Sequence, residues 1–307
     1  MALCIDFGGT EIKLAVTRDD LVLATDSVAV RGDASDLATA ATASRALLPR
    51  ADAQNPDTVG IAVPGVVHPT THRMLHANAK YDHLRDTDLR AWVAQEFQAP
   101  AVIENDARAA LVGETSTSGS APGERDAVLV TLGTGIGTAA LMNGTLVRGS
   151  TGHAGILGGH VTTDIHAEQC PCGNIGCAES LASSWALKQR FDPAESPIGK
   201  APTVKDLFTT HDHADLRNSF LHVWGATVVT LIHMYDPAVV VLSGGILRAG
   251  DAVREPIESY VREHLWASLE PPRFVVPPEP QFSVARGLSV LARHLTNTSP
   301  RSDEETS

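Results

Sequence analysis

One histidine and three cysteines stand at a spacing that suits a metal ion. His160, Cys170, Cys172 and Cys177 read H-x9-C-x-C-x4-C within GGHVTTDIHAEQCPCGNIGCAE, with Gly173 and Gly176 permitting a tight loop. One imidazole and three thiolates make a closed tetrahedral set, the pattern of structural Zn2+, and leave no position for a catalytic water. His153 and His166 compete for the fourth place. The remaining cysteine, Cys4, lies in an apolar run and reads as core.

Two glycine-rich turns offer a second kind of chemistry. DFGGTEIK, Asp6 to Lys13, puts a carboxylate at a strand end and Gly8 and Gly9 in the turn that follows. Backbone N–H groups there can approach a polyanion without a Cβ in the way. Asp6 suits Mg2+ beside phosphates, with Thr10 and Lys13 as phosphate donors. LGTGIGTA, Leu132 to Ala139, repeats the arrangement with Gly133, Thr134, Gly135 and Gly137. It lacks the lysine of a P-loop, and an apolar β-like run follows it where a dinucleotide fingerprint would open a helix. In IENDARAALVGE, Asn105 and Asp106 precede a helix. Asp106 suits the role of base toward a sugar hydroxyl, with Asn105 on the neighbouring hydroxyl. Taken singly, each motif has a plainer reading: an Asx-type turn for Asp6, a helix N-cap for Asn105 and Asp106.

The elements that must position these residues follow from hydrophobic patterning. Apolar runs punctuated by turn residues predict strands over Ala2 to Asp6, Ile12 to Thr17, Leu21 to Val30, Val59 to Val63, Ala101 to Ile103 and from Ala127, with another over Val239 to Leu242. Helical spacing predicts Ser35 to Leu48, Asp88 to Phe97, Asp106 to Glu114, Glu179 to Phe191, Leu216 to Tyr235 and Arg286 to Leu295. The strand, glycine turn, strand layout of the chain start recurs at Ala127, which suggests two lobes on one plan, divided near residues 115–125. The polar tail from Thr296 reads as disordered. No apolar run approaches the ~20 residues of a membrane helix. The 307 residues carry a formal net charge of −12, which disfavours nucleic acid and anionic lipid as partners. A start without secretory features, and thiols clustered for a metal, point to the cytoplasm.

Together these motifs resemble the ROK family of sugar kinases and repressors, within the actin-like ATPase superfamily that includes hexokinases. The resemblance runs from about Ala2 to Leu295. It implies a two-lobed α/β fold of the actin-like ATPase (ribonuclease H-like) type with a nucleotide and sugar cleft between lobes. Residues 1–116, joined by a C-terminal helix at about 286–300, would form one lobe, and residues 117–285 the other. DFGGTEIK resembles the first phosphate motif, LGTGIGTA the second, VVVLSGGI with Gly244 and Gly245 the turn near the adenosine, and END the catalytic motif. GIAVPGVV, with Gly65, resembles the loop before the sugar site. By the same resemblance Asp106 is the base, Asn105, Glu179 and Asn78 bind sugar hydroxyls, and His160 ligates zinc while its loop touches the sugar. MgATP and a small sugar are the implied ligands, and a homodimer or homotetramer the implied assembly. Three departures fall near substrate and nucleotide. Ile156 stands where a sugar-binding Glu is expected, with one residue added before His160. The aromatic after the sugar-loop asparagine gives way to Lys80, Tyr81, Asp82 and His83. Ala285-Arg286-Gly287 replaces a small-residue run. A repressor would carry a helix-turn-helix module ahead of this body, yet the phosphate motif begins at residue 6.

Overall fold

A computed structural model describes residues 1–77, 81–190, 203–209 and 213–297. The chain divides into two compact units: Met1–Gly119 with Ser150–Gly152 and Gln281–Ser307, and Ser120–Gly149 with His153–Pro280. Of the tail expected from Thr296, the part from residue 298 onward lies outside the described residues.

In the first unit, β1 (Ala2–Phe7), β2 (Glu11–Arg18) and β3 (Leu21–Ala29) form an antiparallel meander. After α1 (Ser35–Leu47), β4 (Thr58–Val63) joins β1 in parallel. All six residues of β4 are buried, as befits a strand covered on both faces. A small hairpin of β5 (Gly65–Val67) and β6 (Met74–Ala77) follows, then α2 (Asp82–Arg85) and α3 (Leu89–Phe97). Next, β7 (Ala101–Asn105) pairs in parallel with β4 and runs straight into α4 (Asp106–Thr115). The sheet order is β3-β2-β1-β4-β7.

The second unit repeats that order. β8 (Ala127–Leu132), β9 (Ile136–Met142) and β10 (Thr145–Leu146) form the meander. The loop that carries His160, Cys170, Cys172 and Cys177, then α5 (Ala178–Leu181), α6 (Ser184–Arg190), α7 (Asp206–Thr209) and α8 (Ala214–Tyr235) follow. Then β11 (Val239–Ser243), fully buried, pairs in parallel with β8, and after α9 (Asp251–His264) β12 (Arg273–Val275) completes the sheet β10-β9-β8-β11-β12. The last helix, α10 (Ser283–Asn297), belongs to the first unit and packs along α4.

Two sequence expectations change. The single helix predicted from Glu179 is broken into α5 and α6, because Ala182 leaves helical geometry at φ −144°, ψ 54°. The Ala182 carbonyl accepts the Trp224 indole N–H at 2.7 Å, and the Ser183 hydroxyl caps α6 by accepting Ala186 N–H at 3.0 Å. The strand expected to stop at Ile103 continues to Asn105, so it is Asn105 that caps α4 and Asp106 that is the first helical residue.

Candidate active site

Asn105 fixes Asp106 from three directions. Its Oδ1 accepts the Arg108 N–H at 3.1 Å, the N-cap bond; its Nδ2 donates to the Gly65 carbonyl at 3.1 Å and to Asp106 Oδ1 at 2.9 Å. Asp106 Oδ1 also accepts Ala107 N–H at 2.8 Å. Among the described residues the other carboxylate oxygen of Asp106 has no hydrogen-bond partner. The Asn105 amide is thus largely committed to holding the site, with one acceptor position on Oδ1 left over. Beneath it lies a pair that sequence reasoning did not single out. Arg108, fully buried, donates to the Gly152 carbonyl at 2.8 Å and meets Glu104 Oε1 at 3.5 Å, while Glu104 Oε1 also accepts Asn105 N–H at 2.9 Å. A charge within the run that ends β7 was the available signal.

Burial, and after it the charge of Asp106, pushes the Asp6 carboxyl up to about 7, while Lys13 pulls it down. Lys13 Nζ lies 4.0 Å from Asp6 Oδ2. Burial also raises the Asp106 carboxyl, against its bonds to Ala107 and Asn105 and the charge of Lys13. Gly8 closes the turn, donating to the Asp6 and Glu11 carbonyls at 3.1 Å each, and its own carbonyl accepts the Tyr81 hydroxyl at 2.5 Å. Tyr81, fully buried and edge-on to Phe7 at 5.8 Å, stands out in sequence only as a departure in the sugar loop; its support of the Gly8 turn is not legible there. Gly65 pairs with Ala77 in the β5–β6 hairpin; Asn78, expected to touch sugar, lies outside the described residues. Gly287, expected near the nucleotide, packs against Ala109 of α4.

In the second unit the metal candidates converge. Ligand atoms of His160, Cys170, Cys172 and Cys177 all lie within 4.8 Å of one another, and His153 and His166 stand outside that group. Cys172 Sγ and Cys177 Sγ are 3.6 Å apart, and His160 Nδ1 is 3.9 Å from Cys170 Sγ. A tetrahedral ion with metal–sulfur bonds of about 2.3 Å requires edges near these lengths, so the donor set fits such an ion. All three thiols are free of disulfides.

The glycines of the turns divide by what faces them. A Cβ at Gly8 would press on the Glu11 carbonyl, at Gly135 it would overlap the Glu179 carboxylate, and at Gly244, φ +100°, it would overlap the Leu132 carbonyl. At Gly9, Gly133 and Gly245 the corresponding space is open, which is where a bulky anion can approach. Thr10 is exposed beside Gly9. The carbonyls of Gly133 and Thr134 are tied to Ser184 and Trp185 at the start of α6. Among the described residues the N–H groups of Thr134 and Gly135 have no acceptor, so this turn offers donors to an anion.

The ROK family model matches residues 2–294 of the chain. The chain is 28% identical over 280 residues to a glucokinase of Halalkalibacterium halodurans, covering 83% of each protein. It is 29% identical over 213 residues to a xylose repressor of Bacillus spizizenii, covering 69% of this chain and 54% of the repressor, so it spans about half the length of that relative. A ROK family glucokinase structure from Streptomyces griseus, in complex with glucose and AMPPNP, superposes with a TM-score of 0.79 at 26% identity, covering 95% of this chain and 99% of that one. The α/β fold is the actin-like ATPase type of these kinases.

Proposed function

The chain belongs to the ROK family, and from that premise we propose that it transfers the terminal phosphoryl group of MgATP to a hydroxyl of a hexose or hexose derivative. The observation that carries this reading is Asp106: a buried carboxylate held through one oxygen, with the other open, in the same unit as the Asp6–Lys13 turn. Its open oxygen takes the proton of the attacking hydroxyl as that oxygen bonds to the γ-phosphorus. The bond from the γ-phosphorus to the β–γ bridging oxygen breaks, and ADP departs with that oxygen. Lys13, Thr10, Thr134 and the open N–H groups at Thr134 and Gly135 offset the charge spreading over the phosphates. Gly245, with open space at its Cβ position, leaves room for the adenosine, while Gly244 gives the turn its positive φ. Mg2+ bound with ATP would supply further charge neutralisation, and Asp6 is the carboxylate that would hold it.

Asn105, through the spare acceptor position of Oδ1, Glu179, Gly65 and the His160 loop orient the acceptor, with Asn78 as a further contact. His160, Cys170, Cys172 and Cys177 would hold Zn2+, which supplies a rigid tie for their loop and no open coordination position. Ile156, in place of an acidic side chain, removes one hydroxyl acceptor, so plain glucose is the control and not the expected best substrate. Losing one buried partner can discriminate between sugars by ~10⁴ or more.

A coupled ADP-release assay with MgATP tests this on glucose, mannose, fructose, allose, glucosamine, N-acetylglucosamine, N-acetylmannosamine and inositols. Turnover on any of them supports the kinase. Sugar binding without ADP release across the panel, with metal loaded, would replace it by a sugar-sensing regulator, a reading that the relatives named xylose repressors favour.

A further inference from the structure

Three close approaches in the second unit join the metal loop to the glycine turn between β8 and β9. Glu179, two residues after the ligand Cys177, accepts the Ile136 N–H on Oε2 at 2.7 Å, a charge-assisted bond onto the residue where the turn becomes β9. Its Oε1 lies 3.9 Å from Nε2 of His160, whose Nδ1 faces the thiols. Gly159, next to His160, packs so tightly on Ile136 that a Cβ would overlap its carbonyl. Gly158 N–H donates to Thr138 Oγ1 at 2.9 Å, and that hydroxyl donates to the Gly155 carbonyl at 2.8 Å.

Gly135 therefore has a different reason to be glycine than Gly133. The space at Gly133 is open, whereas the space at Gly135 is filled by the Glu179 carboxylate. The same logic accounts for the Gly158-Gly159 pair ahead of His160: both residues press against the first residues of β9. The loop that carries the four candidate metal donors thus rests on the turn through two glycines and one carboxylate.

We infer that Glu179 is a positioning residue for the phosphate-binding turn, and that metal occupancy of the His160, Cys170, Cys172, Cys177 set is transmitted through His160 and Glu179 to the shape of Gly133–Ile136 and so to nucleotide affinity. This rests on the kinase reading for the identity of the ligand, though not for the linkage between loop and turn. A glutamate that served only to grip the sugar would leave the turn unaffected.

The test measures hydrogen exchange at the Ile136 amide and the affinity for a non-hydrolysable ATP analogue without sugar, in metal-loaded and chelator-stripped protein. In Glu179→Ala with its metal retained, the Ile136 amide is expected to exchange at least tenfold faster and the analogue to bind roughly tenfold more weakly, the scale of one lost charge-assisted hydrogen bond. Glu179→Gln, which keeps an acceptor oxygen, should recover part of both. Stripping the metal from wild type should reproduce the Glu179→Ala values, and stripping Glu179→Ala should add little. Gly135→Ala displaces the carboxylate while keeping all four donors, and serves where stripped protein unfolds; it too should weaken the analogue. Unchanged Ile136 exchange in Glu179→Ala, or analogue affinity unchanged while sugar affinity falls, overturns the inference alone. Wild-type protein that binds no nucleotide overturns it together with the kinase reading.

Discussion

Asp106 is held by one oxygen and, in the proposed reaction, acts through the other, and that division fixes what its replacement should do. Asn at position 106 keeps an oxygen for the Asn105 and Ala107 donors but has no basic oxygen to take a proton. Asp106→Asn should therefore retain fold and sugar affinity while kcat falls by ~10²–10⁴, the usual worth of a general base. Steady-state kinetics beside calorimetric sugar binding measures both, and a near-normal kcat would remove Asp106 from the base role. Acidity follows from the same burial. Asp6, pushed up to about 7, and the raised Asp106 repel each other, so protons leave them as a coupled pair. Since the base must be ionised, and burial raises Asp106, kcat/KM should climb with pH above the ordinary carboxylate range. Asp6→Asn removes one negative charge and should move that limb to lower pH. Stability runs the opposite way. A carboxyl with its folded-state pKa raised from 3.8 to about 7 gives a contribution present below 3.8 and lost as pH rises through about 7. Thermal unfolding of wild type minus Asp6→Asn across pH 4–8, without divalent cations, should show that loss; a flat difference would place Asp6 in a wetter environment than the structure gives it.

At the scale of elements, α4, which begins at Asp106, packs on α10 through two glycines. A Cβ at Gly113 would overlap the Ser283 carbonyl, and one at Gly287 would overlap the Ala109 carbonyl; the Ser283 hydroxyl bonds the Glu114 carboxylate beside the first of these contacts. Gly287→Ala should cost about 1–3 kcal/mol through overpacking, read as a Tm lowered by several degrees with metal content unchanged. An unaltered Tm would mean that the two helices separate easily. Such contacts explain what was legible in the sequence. Apolar runs closed by glycine announce β1, β4, β8 and β11 because the signal is local, and the metal spacing is local too. α9 is hidden because Pro256 reads as a break, although Val253, Ile257 and Val261 keep a buried face. β12 is three residues between proline pairs, recognisable only by its pairing with β11. Which glycines face a ligand and which face a neighbour depends on residues such as Glu179, 44 positions from Gly135 in sequence, and patterning carries no such information.

Taken whole, the molecule uses one strand order twice, and each copy places a glycine turn between its first two strands: Gly8-Gly9 after β1, Gly133 to Gly135 after β8. One plan thus yields two glycine turns, one beside the Asp6–Asp106 carboxylates and one beside the His160 loop. Charge separates the possible roles of such a body. A chain at −12 repels the phosphate backbone, whereas nonspecific DNA binding comes from clustered Lys and Arg displacing counterions. The xylose repressor relative extends well beyond the 213 matched residues, 54% of its length, so the matched portion need not be the part that meets an operator. This chain is therefore expected to show no binding to random duplex DNA in fluorescence anisotropy at 50 mM salt, where basic proteins of Kd ~10⁻⁴–10⁻⁶ M at physiological salt bind far more tightly. Adding sugar should not change that. Saturable binding that weakens steeply between 50 and 200 mM salt would mean a basic surface strong enough to overcome the net charge, and would favour the regulator over the kinase.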